Sequence, residues 1–310
     1  MMRLSVQLYR SLVPVSFVFA AGLALAQDSQ VKTFPTYRAA ASAFVAAQRD
    51  NDTAALASIL GAKAQELMTS GDPAQDEAAR LSFLMRYDEA HSLVRVAPDK
   101  VMLRVGASSW ELPFPIERVD GAWHFDAEEG AQELAYRRIG QNELDAIKVC
   151  GALHDAQKAY AAAAHDGNPA GIYAQRFRSK AGTENGLYWE VKEGENPSPT
   201  GALVAEATNE ADDGTQQIRR PVPFHGYYYR ILKAQGAHAK GGAKDYVVDG
   251  KMTAGFAFIA YPAEYRSSGV MTFIVGKQGV VYEKDLGTTT EENAKAMSAY
   301  DPDATWRAVH

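Results

Sequence analysis

Residues 255–261 read GFAFIAY, seven consecutive residues without a charge. Side chains of a strand alternate between two faces, so both phenylalanines would point one way while Ile259 and Tyr261 point the other. One of these faces must pack against another element. The opposite face is either covered by the Gly- and Pro-rich segment 166–223, which makes its aromatic side chains core, or open, which makes them a surface for a ligand or partner.

Further strand-like runs lie on both sides of this stretch. They are residues 225–232 (HGYYYRIL), 245–248, 270–275 and 279–282. The segments between them carry glycine-containing turn signals at 249–250, 267–269 and 277–279. This order predicts an antiparallel meander over residues 226–284. A closing helix is predicted over residues 291–300.

Apolar residues recur every three or four positions before the meander, which is the period of an α-helix. They are Ala146, Val149, Leu153, Ala156 and Tyr160. Asn142 precedes them as a capping residue. We therefore predict one helix over residues 142–164 that packs against the meander. Cys150 lies inside this helix and is predicted to be a buried, unreactive thiol. Between helix and meander we predict a short helix over 173–177 and loops over 193–200 and 209–217.

The chain before residue 130 has a different order of elements. Helical periodicity starts at Tyr37 and breaks at 50–53, where Asp or Thr can cap a second helix. A third helix is predicted over 74–87, and a period of two then predicts strands over 100–105, 110–116 and 121–125. The fold class is therefore α+β: N-terminal helices plus a bent antiparallel sheet, then a long helix packed on a C-terminal antiparallel meander. We expect two domains, over residues 27–130 and 131–310.

The first 26 residues have the pattern of a cleavable export signal. Arg3 and Arg10 are the only charges before Asp28, and residues 11–24 are apolar. This run is shorter than the roughly 20 residues that a membrane-spanning helix needs. It ends in Ala24-Leu25-Ala26, the small-residue pattern that signal peptidase cleaves. We expect cleavage after Ala26, a periplasmic or secreted protein, and no membrane span in the mature chain.

Composition excludes several classes of function. Without Arg3 and Arg10, 30 of the 32 basic residues remain against 38 acidic ones. An acidic chain without a basic stripe is not expected to bind nucleic acid. The single cysteine excludes an internal disulfide. The seven histidines are scattered without metal-ligand spacing, so neither a metal nor a cofactor is expected.

Several long phrases of the sequence are similar to one family. They are residues 138–144 (RIGQNEL), 186–189 (GLYW), 225–236 (HGYYYRILKAQG), 255–265, 268–275 (SGVMTFIV) and 279–287 (GVVYEKDLG), with SGDP at 70–73. On these phrases the chain is identified as a member of DUF2950, a family of uncharacterised exported bacterial proteins. The resemblance implies no chemistry. The helices and the strand GAWHF at 121–125 also resemble the nuclear-transport-factor-2 fold, and the helix with its meander resembles the heads of type IV pilins.

Aromatic residues are concentrated in the second half of the chain. The candidate ligand-binding residues are Tyr188, Trp189, Tyr227, Tyr229, Tyr261 and Tyr265. Flat rings bury a large area at low entropic cost, so they suit a surface for sugars or peptides. The alternative is that alternate rings fill the core.

Catalytic motifs are missing from the sequence. It contains no phosphate-binding loop, no HExxH and no GxSxG, because Arg266 stands where the first glycine before Ser268 should be. The sequence therefore favours a non-catalytic periplasmic module that binds a protein or a cell-wall or other envelope component. The alternative is a hydrolase of cell-wall or peptide material, with acid and base groups drawn from Glu264, Arg266, Lys284 and Asp285.

Overall fold

The computed structural model describes residues 31–61, 73–191, 197–208 and 221–309. The predicted export signal and its cleavage site after Ala26 lie outside these residues, as do the predicted loop 209–217 and the first half of the predicted loop 193–200. The chain forms two compact units that divide between Ala127 and Glu128.

Three helices open the first unit: α1 (Tyr37–Asp50), α2 (Thr53–Leu60) and α3 (Pro73–Glu89). The predicted break after α1 is confirmed. Asn51 adopts a left-handed conformation with φ of 52°, and the Asp52 carboxylate accepts a hydrogen bond from Ala55 N at 2.9 Å. A cap of this kind satisfies a main-chain donor that the first turn of a helix cannot pair.

A five-stranded antiparallel sheet follows, with β1 (His91–Ala97), β2 (Lys100–Val105), β3 (Trp110–Glu111), β4 (Ile116–Val119) and β5 (Ala122–Phe125). The strands lie in the order β1-β2-β4-β5, and β3 pairs with β2. Alternate residues of β2 are buried, as the period of two predicts. Strand β1 was not predicted. Most of its residues are exposed at the edge of the sheet, so no burial imposes alternation on its sequence.

The second unit contains the long helix α4 (Ala127–Ala161). The prediction of a helix is correct, but the predicted start at Asn142 is wrong. Asn142 lies inside the helix, and its side chain donates to Ser268 O at 2.8 Å instead of capping a terminus. The glycine at 140 does not stop the helix, because a single glycine costs only about 1 kcal/mol relative to alanine.

The predicted meander forms a five-stranded antiparallel sheet, here called the main sheet. Its strands are β6 (Tyr227–Leu232), β11 (Ala257–Pro262), β12 (Met271–Gly276), β13 (Val281–Asp285) and β15 (Arg307–Ala308), in the order β15-β13-β12-β11-β6. Short strands complete the unit: β7 (Ala234–Gln235), β8 (Lys244–Asp245), β9 (Val247–Val248), β10 (Lys251–Met252) and β14 (Ala299–Tyr300). The two short helices are α5 (Ala202–Glu206) and α6 (Thr290–Ala296).

Helix α4 covers one face of the main sheet, as predicted. Its stripe of buried residues belongs to the same core as the strands. The ring of His154 lies 5.7 Å from that of Phe256, between centroids. The chain after the helix adds to this layer, where the Phe177 ring lies 5.6 Å from Phe258.

The opposite face of the main sheet is covered by the C-terminal residues 290–300. Arg230, on β6, donates hydrogen bonds to the carbonyl oxygens of Ala294 and Met297. Tyr300 stacks edge-on against Tyr282, with 6.4 Å between ring centroids. Both faces of the sheet are therefore buried. The covering segment on this face follows the meander, and is not the segment 166–223 that the sequence suggested.

Two smaller predictions are wrong. Residues 173–177 are not helical, because their main-chain groups are bonded elsewhere. The amide of Gln157, on α4, pairs with both main-chain groups of Ala174 at 2.8 and 2.9 Å, and Tyr173 N bonds to Met252 O at 2.8 Å. The closing helix ends at Ala296 rather than at residue 300, because Ala299 and Tyr300 pair with β7.

None of the described helices is long and apolar enough to cross a membrane.

The Cys150 thiol reports whether α4 stays docked on the main sheet. It has no solvent exposure, and burial raises its pKa to about 12. Only the thiolate reacts rapidly with disulfide reagents. We expect no labelling of the native protein at neutral pH, and stoichiometric labelling in denaturant. Rapid labelling of the native protein would show that the helix leaves the sheet.

Candidate functional site

Four of the six aromatic candidates lie in the core of the second unit. The exposed fractions of Tyr227, Tyr229 and Tyr261 are 0%, and that of Trp189 is 8%. The hydroxyl of Tyr227 donates to Met271 O at 2.9 Å, and that of Tyr229 to Phe224 O at 3.3 Å. Burial raises the pKa of both phenols. All four rings are therefore packing elements with little or no surface for stacking, and the hydroxyls of Tyr227 and Tyr229 are satisfied internally.

The other two aromatic candidates, Tyr188 and Tyr265, are partly exposed. Each carries an arginine over its ring. The guanidinium carbon of Arg178 lies 4.9 Å from the Tyr188 centroid, and that of Arg266 lies 5.4 Å from the Tyr265 centroid. Tyr265 lies in the connection between β11 and β12.

This connection, residues 264–271, is here called the 264–271 turn. Arg266 stands at its tip in the left-handed region, with φ of 62°. The Ser268 hydroxyl accepts from Glu264 N at 3.0 Å and donates to Glu264 O at 3.2 Å. The main chain adds a bond from Arg266 N to Gly269 O at 2.8 Å. Local bonds of this kind fix one conformation of a turn.

Side chains of helix α4 hold the 264–271 turn through hydrogen bonds to its main chain. Glu143 Oε1 accepts from the main-chain nitrogens of Val270 and Met271 at 2.8 and 3.0 Å. Asn142 donates to Ser268 O at 2.8 Å, and Arg138 to Ser267 O at 3.3 Å. Residues 138 and 142 are one helical turn apart, so they reach the same side of the helix. One helix therefore satisfies four main-chain groups of the turn.

Two glycines permit this close approach. A β-carbon on Gly269 would lie 2.2 Å from the hydroxyl oxygen of Tyr227, and one on Gly226 would lie 2.5 Å from Nδ2 of Asn142. Distances this short are not compatible with a side chain, so both positions require glycine. Residues from four of the family-like phrases meet here: 138–144, 225–236, 255–265 and 268–275.

Asp145, two residues after Glu143 on α4, carries a negative charge that hydrogen bonds hold in place. The Asp145 carboxylate accepts from Gln141 at 3.0 Å and from Lys148 at 2.9 Å, and His225 Nδ1 lies 3.7 Å away. The bond from Gln141 and that from Lys148 lower the pKa of Asp145. This carboxylate stays ionised at neutral pH and has no proton to give.

Two acid and base candidates of the hydrolase alternative, Glu264 and Arg266, lie in this turn, and the other two, Lys284 and Asp285, lie on β13. The Tyr265 hydroxyl is 3.2 Å from Asp285 Oδ2, which places Glu264 and Arg266 near the end of β13. Lys284 is engaged with the Thr305 hydroxyl at 2.7 Å. The Ser268 hydroxyl is bonded to the main chain of Glu264, and no histidine among the described residues bonds to it. A serine nucleophile needs such a base.

Sequence reasoning missed the roles of Arg138, Asn142 and Glu143. Asn142 and Glu143 are residue types that often start a helix. The sequence pattern therefore predicted a helix terminus and gave no sign of their contacts with the turn. Their partners are main-chain atoms more than a hundred positions away, which no local pattern reveals.

Glu143 tests the attachment of the turn. We expect Glu143→Ala to lower the free energy of unfolding by about 2 kcal/mol, because it leaves two main-chain donors without a charged acceptor. Hydrogen exchange at Val270 and Met271 should accelerate. The control is Glu133→Ala on the same helix, where the carboxylate bonds only to Arg137 at 2.7 Å near the surface. It should change stability by less than about 0.5 kcal/mol. Equal urea midpoints for both variants would contradict this account.

The chain was compared with known proteins. A family model described as a protein of unknown function, DUF2950, matches residues 31–309. No curated protein matches the chain, and no solved structure does. The resemblances to nuclear transport factor 2 and to pilin heads therefore stay predictions. Because the match covers nearly all of the sequence, the chain belongs to the DUF2950 family.

Proposed function

We propose that this protein is an exported, non-catalytic module that binds a protein or another component of the cell envelope, and that the 264–271 turn is its recognition element. One observation carries the proposal: the turn is held by helix α4 through Glu143, Asn142 and Arg138, while its tip points side chains outward. Glu264 and Arg266 are exposed and Tyr265 is partly exposed.

The physical argument is preorganisation. A loop that is already fixed in its bound conformation loses little entropy on binding, so more of its contact energy appears as affinity. Tyrosine and arginine are also the residues that most often dominate binding energy at protein interfaces. The left-handed Arg266 supports the same view, since residues held in sparsely populated backbone conformations are concentrated at functional sites.

A hydrolase is the less favoured alternative. It would need a nucleophile beside a base, and Ser268 instead completes the hydrogen bonds of the turn. Glu143 on α4 has the same structural use. The Ser268 hydroxyl and the Glu143 carboxylate are thus engaged in holding the main chain of the turn, which is what a rigid binding element requires.

Export is the part of the proposal that rests on the sequence of the first 26 residues. We expect the protein purified from its native host to begin at Gln27, and intact mass and N-terminal sequencing would measure this. Ala26→Arg should block processing, because signal peptidase accepts only small residues there. A cytoplasmic protein that retains Met1 would refute the export proposal.

The recognition role predicts an effect of the tip residues. We expect Tyr265→Ala combined with Arg266→Ala to abolish capture of envelope components by the immobilised mature protein, with little change in thermal stability. The matched control is Tyr136→Ala, which removes a tyrosine that is 65% exposed on α4.

Capture would be measured by crosslinking in envelope extracts and identification by mass spectrometry. A component lost only with the tip variant identifies the partner. Identical capture by the tip variant, the control and the wild type would exclude the turn. Turnover of peptidoglycan or peptides by the wild type, abolished by Ser268→Ala, would favour the hydrolase.

A further inference from the structure

A second feature, in the first unit, is independent of the 264–271 turn. Exposed cations there surround a small group of aromatic rings. The cations are Lys32, Arg38, Arg95 and Arg118, and the rings are those of Phe34, Tyr37 and Trp123. Together they are here called the cationic cluster.

The rings hold the arginines in place. The guanidinium carbons of Arg38 and Arg95 lie 5.6 and 5.7 Å from the centroid of Tyr37. That of Arg95 also lies 5.9 Å from the centroid of Trp123, whose ring contacts Tyr37 edge-on at 5.2 Å. Cation–π attraction of this kind orders a guanidinium without neutralising its charge.

The backbone fixes the rings in turn. Phe34 and Trp123 exchange two main-chain hydrogen bonds, at 2.7 and 2.8 Å. Trp123 is only 6% exposed and pairs with Arg118 across β4 and β5, so the two share a face of the sheet. Tyr37 is the first residue of α1. The cluster is therefore attached to three rigid elements, and its geometry is set before any ligand arrives.

The charges of the cluster are not balanced. Arg118 pairs with Asp99, its Nε lying 2.8 Å from Oδ1. Lys32, Arg38 and Arg95 have no carboxylate within salt-bridge distance among residues 31–61 and 73–127 of this unit. Four other cations of the unit are paired: Arg49 with Asp88, Arg80 with Glu77, Lys100 with Glu117 and Arg104 with Glu111. Arg86 has no carboxylate partner among the described residues, but it is not part of the cluster.

The end of helix α1 adds to the positive potential. Its first turn contains no acidic residue and does contain Arg38. Since the N-terminus of a helix already carries a partial positive charge, an arginine there is unfavourable unless an anion lies nearby. The chain is acidic overall, yet Lys32, Arg38 and Arg95, which have no carboxylate partner among the described residues, lie around one group of rings.

We propose that the cationic cluster binds a phosphate group. Arg95 donates one N–H, from Nη1, to the carbonyl oxygen of Pro98. Its other N–H groups and those of Arg38 have the geometry that matches phosphate oxygens with parallel hydrogen bonds. Several cations and a helix N-terminus favour a multiply charged anion over a single carboxylate. The phosphate could belong to a small soluble molecule or to the headgroup of an anionic lipid, and the test separates these sources.

The experiment uses the mature chain at low ionic strength. Calorimetric titration with inorganic phosphate measures the first source. Co-sedimentation with vesicles of phosphatidylglycerol and phosphatidylcholine, against vesicles of phosphatidylcholine alone, measures the second. We expect saturable binding in at least one arm. Arg38→Gln combined with Arg95→Gln should weaken it about tenfold or more, which is the usual contribution of charge-assisted bonds.

The matched control is Arg104→Gln, which removes one positive charge of the same unit where Glu111 neutralises it. It should bind like the wild type. If the double variant does not fold, Lys32→Gln replaces it, because Lys32 only lies over the Phe34 ring at 5.6 Å, and weaker binding is again expected. Absence of binding in both arms, or equal loss in the control and the cluster variants, would overturn the proposal.

Discussion

The packing of helix α4 against the main sheet organises the second unit. Cys150, Leu153 and Ala146 have at most 1% exposure along the contact. Fully burying a leucine-sized side chain contributes about 2 kcal/mol. The apolar contact sets the distance between helix and sheet, but it does not by itself fix the helix along its axis. The bonds from Glu143 to Val270 and Met271 do so, because they are directional and tie one point of the helix to one point of β12.

This packing determines where function can lie. Because both faces of the main sheet are covered, Tyr227, Tyr229 and Tyr261 are interior, and the hydroxyls of Tyr227 and Tyr229 bond to main-chain oxygens. The long outer strands of the sheet also have main-chain partners. Tyr229 N on β6 bonds to Ala207 O at 3.0 Å, and beyond β13 lies the two-residue strand β15, next to which Val309 N bonds to Val281 O at 2.9 Å. Such partners protect a sheet from pairing with other chains. The proposed recognition element lies instead in a turn where two strands end.

The two proposed sites obtain rigidity in different ways. The 264–271 turn is fixed by hydrogen bonds from helix side chains to its main chain. In the cationic cluster, rings order the arginines by stacking, and the backbone of Phe34 and Trp123 fixes the rings. In both cases polar groups are immobilised in advance, which lowers the entropic cost of binding. Both sites also include exposed arginines, Arg266 in the turn and Arg38 and Arg95 in the cluster, which retain their charge at any accessible pH.

The sequence by itself determined the α+β class, the family, the helix through Cys150 and the strands of the meander, because hydrophobic periodicity is a local property that burial imposes on each element. It failed for β1, whose exposed edge position imposes no period, and at Asn142, where helix-start residues instead bind a distant turn. It identified the aromatic residues but not their burial. A strand such as GFAFIAY has apolar residues on both faces whether or not both faces are covered. Only the tertiary structure decided that residues 290–300 cover the second face, that Glu143 holds the 264–271 turn and that arginines gather around Trp123, since each of these depends on contacts between residues far apart in the chain.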